Sequence, residues 1–450
     1  MGYQKPHARV VLGGLVFAIF TAPLTWSQID TVGNTVPRDP GVRGGAPGAG
    51  RALPGLTPGQ QKAFEDGKDA FDEANFVTNP LPDGDSGLGP RFNSDSCGSC
   101  HAAPAAGGTS PSVNPQTAVA TKMGARNRIP LFLRQDGPVR EVRFKLKPNG
   151  SPDGGVHNLF VISGRTDAPG CNIQQEDFSN TSNLAFRIPT PAFGLGLVEA
   201  ISDNALRRNL ASDRDIKASL GISGRLNVND SDGTVTRFGH KAQNKSLHIF
   251  AGEAYNVEQG VSNHLFPQER DETPGCQFNS TPEDANDFDS GETDDLPLFA
   301  AFMRFLAPPQ RTPTTASIDD GFDAFRDVGC NWCHTPSLQT GRSTVAALTD
   351  KPVPLFSDLA LHNMGPGLAD DIGQGRADGD EFRTAPLWGL GQRIFFLHDG
   401  RTKDLMEAIR AHSSSGNRRY DASEANAVID RFNRLSPARQ QHLLNFLRSL

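Results

Sequence analysis

Four of the six cysteines in this 450-residue chain fall into two five-residue units of one design, Cys97-Gly-Ser-Cys100-His101 and Cys330-Asn-Trp-Cys333-His334. The Cys-x-x-Cys-His spacing is the attachment pattern of c-type haem. Two thiols reach both vinyl groups of one porphyrin while the adjacent imidazole turns onto the iron. Zinc or a thioredoxin-like pair is the competing reading. Against it, the two units lie much too far apart for a zinc ribbon, and a His follows each pair although only 11 stand in the whole chain. The chain is therefore expected to carry two covalently attached haem c groups, with His101 and His334 as proximal iron ligands, and to fold around both.

Haem c is attached outside the bacterial cytoplasm, and the N-terminus agrees with export. Lys5, His7 and Arg9 precede an uncharged run from Val10 to Trp26, with small residues around Thr25 and Ser27, so residues 1–27 read as a signal peptide and the protein as periplasmic. The run contains Gly13, Gly14 and Pro23 and falls short of the ~20 residues a span requires, so no stable membrane span is expected after its removal. In an oxidising compartment the remaining cysteines, Cys171 and Cys276, are expected to form a disulfide, with two separate buried thiols as the alternative. A net charge of −7 leaves no basic footprint for phosphate contacts, which argues against nucleic acid as a partner.

Residues 28–55, rich in Gly, Pro and Arg without periodicity, read as a flexible linker. After it the chain runs through the same landmarks twice. Gly67-Lys-Asp-Ala-Phe71 is echoed by Gly321-Phe-Asp-Ala-Phe325, each before a Cys-x-x-Cys-His unit. Phe186-Arg187-Ile-Pro-Thr-Pro191-Ala-Phe-Gly194-Leu-Gly196 is echoed by Phe382-Arg383-Thr-Ala-Pro386-Leu-Trp-Gly389-Leu-Gly391, and Phe302-Met-Arg304-Phe-Leu306 by Phe446-Leu-Arg448-Ser-Leu450. The fold class expected is mainly α, with two cytochrome c-like haem domains, 56–310 and 314–450, in each of which an N-terminal helix crosses a C-terminal one. The first helix should begin at Thr57 as N-cap with Pro58 at N1. The first domain is the longer, by a loop- and strand-containing insertion with strands over Val139 to Leu146 and Val156 to Ser163 and a helix over Asp203 to Leu220. The acidic stretch 271–295 reads as a solvated loop; calcium is the alternative, without the EF-hand pattern to support it.

Together with the two haem motifs, Arg237-Phe-Gly-His-Lys-Ala242, Leu361-His-Asn-Met-Gly-Pro-Gly-Leu-Ala-Asp370, Arg383 to Gly391 and Leu397-His-Asp-Gly-Arg401 make the chain from about Thr57 to Leu450 resemble the bacterial di-haem oxidoreductase family of peroxidase-like proteins. That family is similar to di-haem cytochrome c peroxidases, to the di-haem enzyme that matures tryptophan tryptophylquinone, and to the rubber oxygenases. The resemblance implies an oxidoreductase in which one haem meets peroxide or another small oxidant. The other exchanges electrons with a small redox protein or another donor or acceptor. It also implies a distal ligand for the second haem at the position that falls on His412, with Met364 as the rival. A bis-His iron has a lower potential than a Met/His one.

A peroxidatic site needs an open iron position and a proton-transfer group above it. Glu199, just after Gly194-Leu-Gly196, is the candidate here, with an ordinary helix-start carboxylate as the bland reading. His240, where the family motif usually carries Trp, is a second catalytic candidate, and His248 stands near it in sequence; His157 and His264 read as structural. Trp332 and Trp388 are candidate electron relays. Two other functions fit the same residues: a pure electron-transfer di-haem cytochrome c, or an oxygenase of an apolar substrate.

Overall fold

The computed structural model describes residues 36–78, 85–284 and 294–450; the expected signal peptide and residues 28–35 of the linker lie outside them. The principal helices are α1 (Pro58–Asp72), α2 (Leu247–Ala254), α3 (Asp295–Phe305), α4 (Ala316–Val328), α5 (Leu405–Arg410) and α6 (Pro437–Ser449). Helix outweighs strand. Among the described residues, strands are two to four residues long and pair as two-stranded antiparallel ladders. None of the described helices is long and apolar enough to cross a membrane.

Local chemistry sets the helix starts. Thr57 and Gln60 close a reciprocal capping box on α1, with Pro58 in the first turn. Thr315 caps α4, and Ser436 caps α6. Each pair of crossing helices then buries a phenylalanine seam. Phe64 and Phe71 of α1 meet Phe302 of α3 at ring distances of 5.5 and 4.7 Å. Phe322 and Phe325 of α4 meet Phe446 of α6 at 5.3 and 5.4 Å. Gly67 and Gly321 sit at equivalent crossing points. A Cβ on Gly67 would run into the Leu298 carbonyl, and one on Gly321 into the His442 carbonyl, so the close approach of each pair depends on a missing side chain.

The segment between His101 and α3 holds the ladder Glu141–Phe144 with Leu184–Arg187, in which Glu141 stands opposite Arg187. Of the strand expected over Val156 to Ser163, Phe160–Val161 forms a ladder with Arg91–Phe92 and Val156 a single bridge to Arg143. The helix expected over Asp203 to Leu220 is broken into Asp203–Ala211 and Arg214–Ser219 by Asp213 in the left-handed region, at φ 53°. Lys217 takes up the freed carbonyls of Asn209 and Leu210 at 2.9 and 3.3 Å. The Cys171–Cys276 disulfide is formed and closes a small core of its own with Phe92, Leu159 and Phe160.

The linker reading is corrected over 36–55. This stretch lies against the body of the protein. Arg43 N–H donates to the Gly391 carbonyl, Leu53 N–H to Phe305, and Gln310 N–H to Gly48. Asp39 forms a buried ion pair with Arg448 at 2.6 Å, the two side chains 7% and 4% exposed. Composition alone hides this, because the partner of Asp39 lies 409 residues further along the chain. Trp388, Leu355 and Leu359 join the core that also holds Phe64, Phe302 and Leu306, so the two halves share apolar packing.

Candidate active site: two cavities, each behind a histidine

Both Cys-x-x-Cys-His units border a cavity. In the first, Ser96 caps the turn Cys97–Cys100, accepting from Ser99 N–H. A tight return then brings Gly108 back to His101, whose Nδ1 lies 2.9 Å from the Gly108 carbonyl. In the second, Gly329 in the left-handed region starts the turn Cys330–Trp332, and His334 Nδ1 lies 3.0 Å from the Phe356 carbonyl. With Nδ1–H donated to a carbonyl, each ring keeps an Nε2 lone pair for a metal. Desolvation lowers the pKa of both rings, that of His334 to about 4 with His412 adding to it, so both are neutral donors. Burial pushes the Cys100 and Cys330 thiols up to about 12. None of these four cysteines is in a disulfide.

The cavity behind His334 is lined by Met364, His362, Arg383, Trp388, Arg393, His398 and His412, among others. His412, just past α5, directs Nδ1 to the Ala408 carbonyl at 2.8 Å and repeats the pattern of His101 and His334. His362 has both ring nitrogens occupied, by Asp358 at 3.0 Å and Glu424 at 2.7 Å, and has no lone pair to offer. Arg383 Nη1 is buried without a partner, and burial pushes both Arg383 and Arg393 down to about 10. The one carboxylate in that wall, Glu424, is held by His362, so the two guanidiniums call for another anion, and the propionates of a haem fit that demand.

The cavity behind His101 is different in kind. Its wall includes Glu141, Arg143, Arg187, Glu253, Glu258, Met303 and Gln243. Glu258 follows α2 on a π-helical turn, Tyr255–Gln259, a feature frequent at functional sites. Its carboxyl is pushed up to about 8, by burial first and then by its hydrogen-bonded neighbour Glu141. Burial also acts on Glu141, but Arg143 and Arg187 outweigh it and hold that carboxyl at about 2. The two carboxyls are thus pushed in opposite directions, Glu258 towards its protonated form and Glu141 towards its ionised one. Nothing in the sequence marks these two glutamates, because a strand and a π-turn far apart in the chain bring them together.

Glu199 does not take the position expected of it. It is not among the residues lining this cavity; its carboxylate accepts from Leu247 N–H at 2.9 Å and from Arg304 Nε at 2.8 Å, so it caps α2 and pairs with α3. His240 borders both cavities, together with Ile188, Pro189 and Thr190. Its Nε2 lies 3.1 Å from the Ile188 carbonyl, and burial, reinforced by Arg187, lowers its pKa to about 3. His157 is held between Glu176 at 2.7 Å and Asp153 at 3.3 Å, and His248 and His264 lie outside both walls. In the acidic stretch Asp271 is paired with Arg91. Among the described residues no group of three or more His, Cys, Asp or Glu is arranged to hold a metal ion; 285–293 lie outside them.

No protein of curated function matches the sequence significantly. Among solved structures, the diheme peroxidase BthA from Burkholderia thailandensis is similar at 14% identity over 93% of this chain and 92% of that one, with a TM-score of 0.39. A MauG-like protein associated with microbial copper homeostasis is similar at 17% identity over 50% of this chain and 76% of that one, with a TM-score of 0.29. At that overlap neither informs the role of any residue. The family model for "di-haem oxidoreductase, putative peroxidase" matches residues 159–450, which include the second haem motif, both Phe-Arg repeats, and Arg383 and Arg393. The chain belongs to this di-haem oxidoreductase family.

Proposed function

We propose that the protein is an exported, periplasmic di-haem c-type oxidoreductase that reduces peroxide at the haem on Cys97 and Cys100 with electrons arriving through the haem on Cys330 and Cys333. It comprises two cytochrome c-like units, 56–310 and 314–450. The observation that carries this reading is the asymmetry of the two cavities. Behind His334 stands His412, a neutral imidazole with its Nδ1 anchored and Nε2 free, suited to complete a six-coordinate iron. Behind His101 stands a carboxyl pair in which burial and Glu141 push Glu258 up while Arg143 and Arg187 hold Glu141 down.

Haem, when bound, supplies the iron that meets the oxidant and the electrons that reduce it. The protein's own part is protonic and positional. Cleaving the O–O bond of hydrogen peroxide to two waters takes two electrons and two protons. Glu258, raised by burial and by Glu141, is suited to give one of those protons; Arg143 and Arg187 hold Glu141 ionised beside it, and the second proton comes from solvent. His240 stays neutral in the partition between the cavities. Trp388, in the wall behind His334 and in the core of the first half, is the better placed of the two tryptophan relays; Trp332 packs beside Gly329 in the second core. A small redox protein is the natural electron partner.

The electron-carrier reading requires a sixth ligand on the His101 side, and Met303 in that wall is a thioether able to supply one. Electron paramagnetic resonance of the oxidised protein separates the two. One high-spin and one low-spin iron, with cyanide converting only the high-spin one, are expected. Two low-spin irons indifferent to cyanide and peroxide would instead establish the carrier.

A further inference from the structure

Outside both cavities, two histidines face each other across the start of α3. His248 lies in the first turn of α2 and His264 in the loop after it, and their Nε2 atoms are 3.2 Å apart. His264 Nδ1 lies 2.6 Å from Asp294 Oδ2. Asp294 is at the same time the N-cap of α3, its Oδ1 accepting from Leu296 N–H at 2.8 Å. The carboxylate must receive the Nδ1 proton, so the neutral His264 ring presents a bare Nε2 lone pair to His248. Two lone pairs do not rest 3.2 Å apart unaided: either a proton or a cation lies between them.

We propose that His248 and His264 form a surface site for a divalent transition ion of the zinc(II) class, with Asp294 orienting His264. Two imidazole nitrogens at about 2.0–2.1 Å from one tetrahedral ion subtend about 3.3 Å, close to the separation seen. Carboxylate to Nδ1–H, with Nε2 left for the metal, is the arrangement that fixes tautomer and ring direction in metal sites. His264 is 42% exposed, and waters complete the coordination. Arg304, a positive charge that acts on His248, is paired with Glu199 at 2.8 Å.

An ion here would tie the first turn of α2 to the first turn of α3. Phe250, Ala251, Glu253 and Ala254 of α2, and Phe299 and Met303 of α3, line the cavity behind His101. The site would therefore brace that wall from outside while remaining apart from the iron.

The test is zinc(II) titration of tag-free holoprotein, previously dialysed against chelator, by calorimetry and by thermal unfolding. The parent should take up one equivalent at micromolar zinc that the His248→Ala/His264→Ala double variant does not, and zinc should raise the unfolding temperature of the parent only. Asp294→Asn, which preserves the helix cap, should weaken binding about tenfold or more. Equal uptake by parent and double variant, or no uptake by the parent below millimolar zinc, would show that the pair is an Nε2–H···Nε2 hydrogen bond and overturn the proposal. Unchanged haem absorption in each variant confirms that the comparison is between folded proteins.

Discussion

A carboxyl that keeps its proton to about pH 8 makes activity depend on pH in a defined direction. Glu258 donates only while protonated, so peroxide turnover should hold at neutral pH and fall as pH rises through about 8, where Glu258 loses its proton. Glu258→Gln keeps the shape and removes the transferable proton. Its turnover should drop at least tenfold, about 1.4 kcal/mol in barrier, with the alkaline limb abolished; a retained limb in the rate profile would assign it to another group. Glu199→Gln, by contrast, should cost stability through Arg304 and α2 more than turnover, since it touches neither cavity. At the second iron, His412→Ala should turn one low-spin signal high-spin and leave the other unchanged. None of these roles was equally visible in the sequence. His412 stood out only through the family resemblance, whereas Glu141 and Glu258 acquire their character from burial and from each other, which no local pattern encodes.

Between elements, the repeated landmarks turn out to be contact points. The first glycine of Gly67-Lys-Asp-Ala-Phe71 and of Gly321-Phe-Asp-Ala-Phe325 meets a carbonyl of the crossing helix, and the phenylalanine four residues on approaches the haem-motif histidine, Phe71 to His101 at 5.8 Å and Phe325 to His334 at 6.4 Å. Gly196 and Gly391 similarly face the carbonyls of Arg304 and Arg448, which explains why the Gly-Leu-Gly and Phe-x-Arg landmarks recur together. Gly67→Ala or Gly321→Ala should overpack its helix crossing and destabilise by about 1–3 kcal/mol, read as a lower urea midpoint. Gly59→Ala on α1, where nothing lies within 4 Å of the added Cβ, should leave the midpoint unchanged or raise it. Strand ends and the break at Asp213 were not legible, because short ladders depend on partners and not on alternation within one segment.

Across the molecule, the first described segment is joined to the last helix. Asp39 holds Arg448 while its carboxylate also accepts from Leu405 N–H at 2.8 Å. Asp39→Ala leaves a buried guanidinium without its partner, so a loss of about 3–5 kcal/mol is expected in chemical denaturation. The Cys171–Cys276 bond, spanning 105 residues, should contribute about 2–4 kcal/mol, measured by comparing the Cys171→Ser/Cys276→Ser protein with its parent. What the sequence by itself determined was whatever lies within a few adjacent residues or recurs in order: the two Cys-x-x-Cys-His units, the Thr57 cap of the first helix, the duplicated landmarks and the mainly helical class. The tertiary structure alone decided that Glu258 and Glu141 meet beside His101, that Glu199 is occupied by Arg304, and that residues 36–55 are a strap and not a tether. Each of these depends on side chains from distant segments meeting where water is excluded, and such meetings have no periodicity to read.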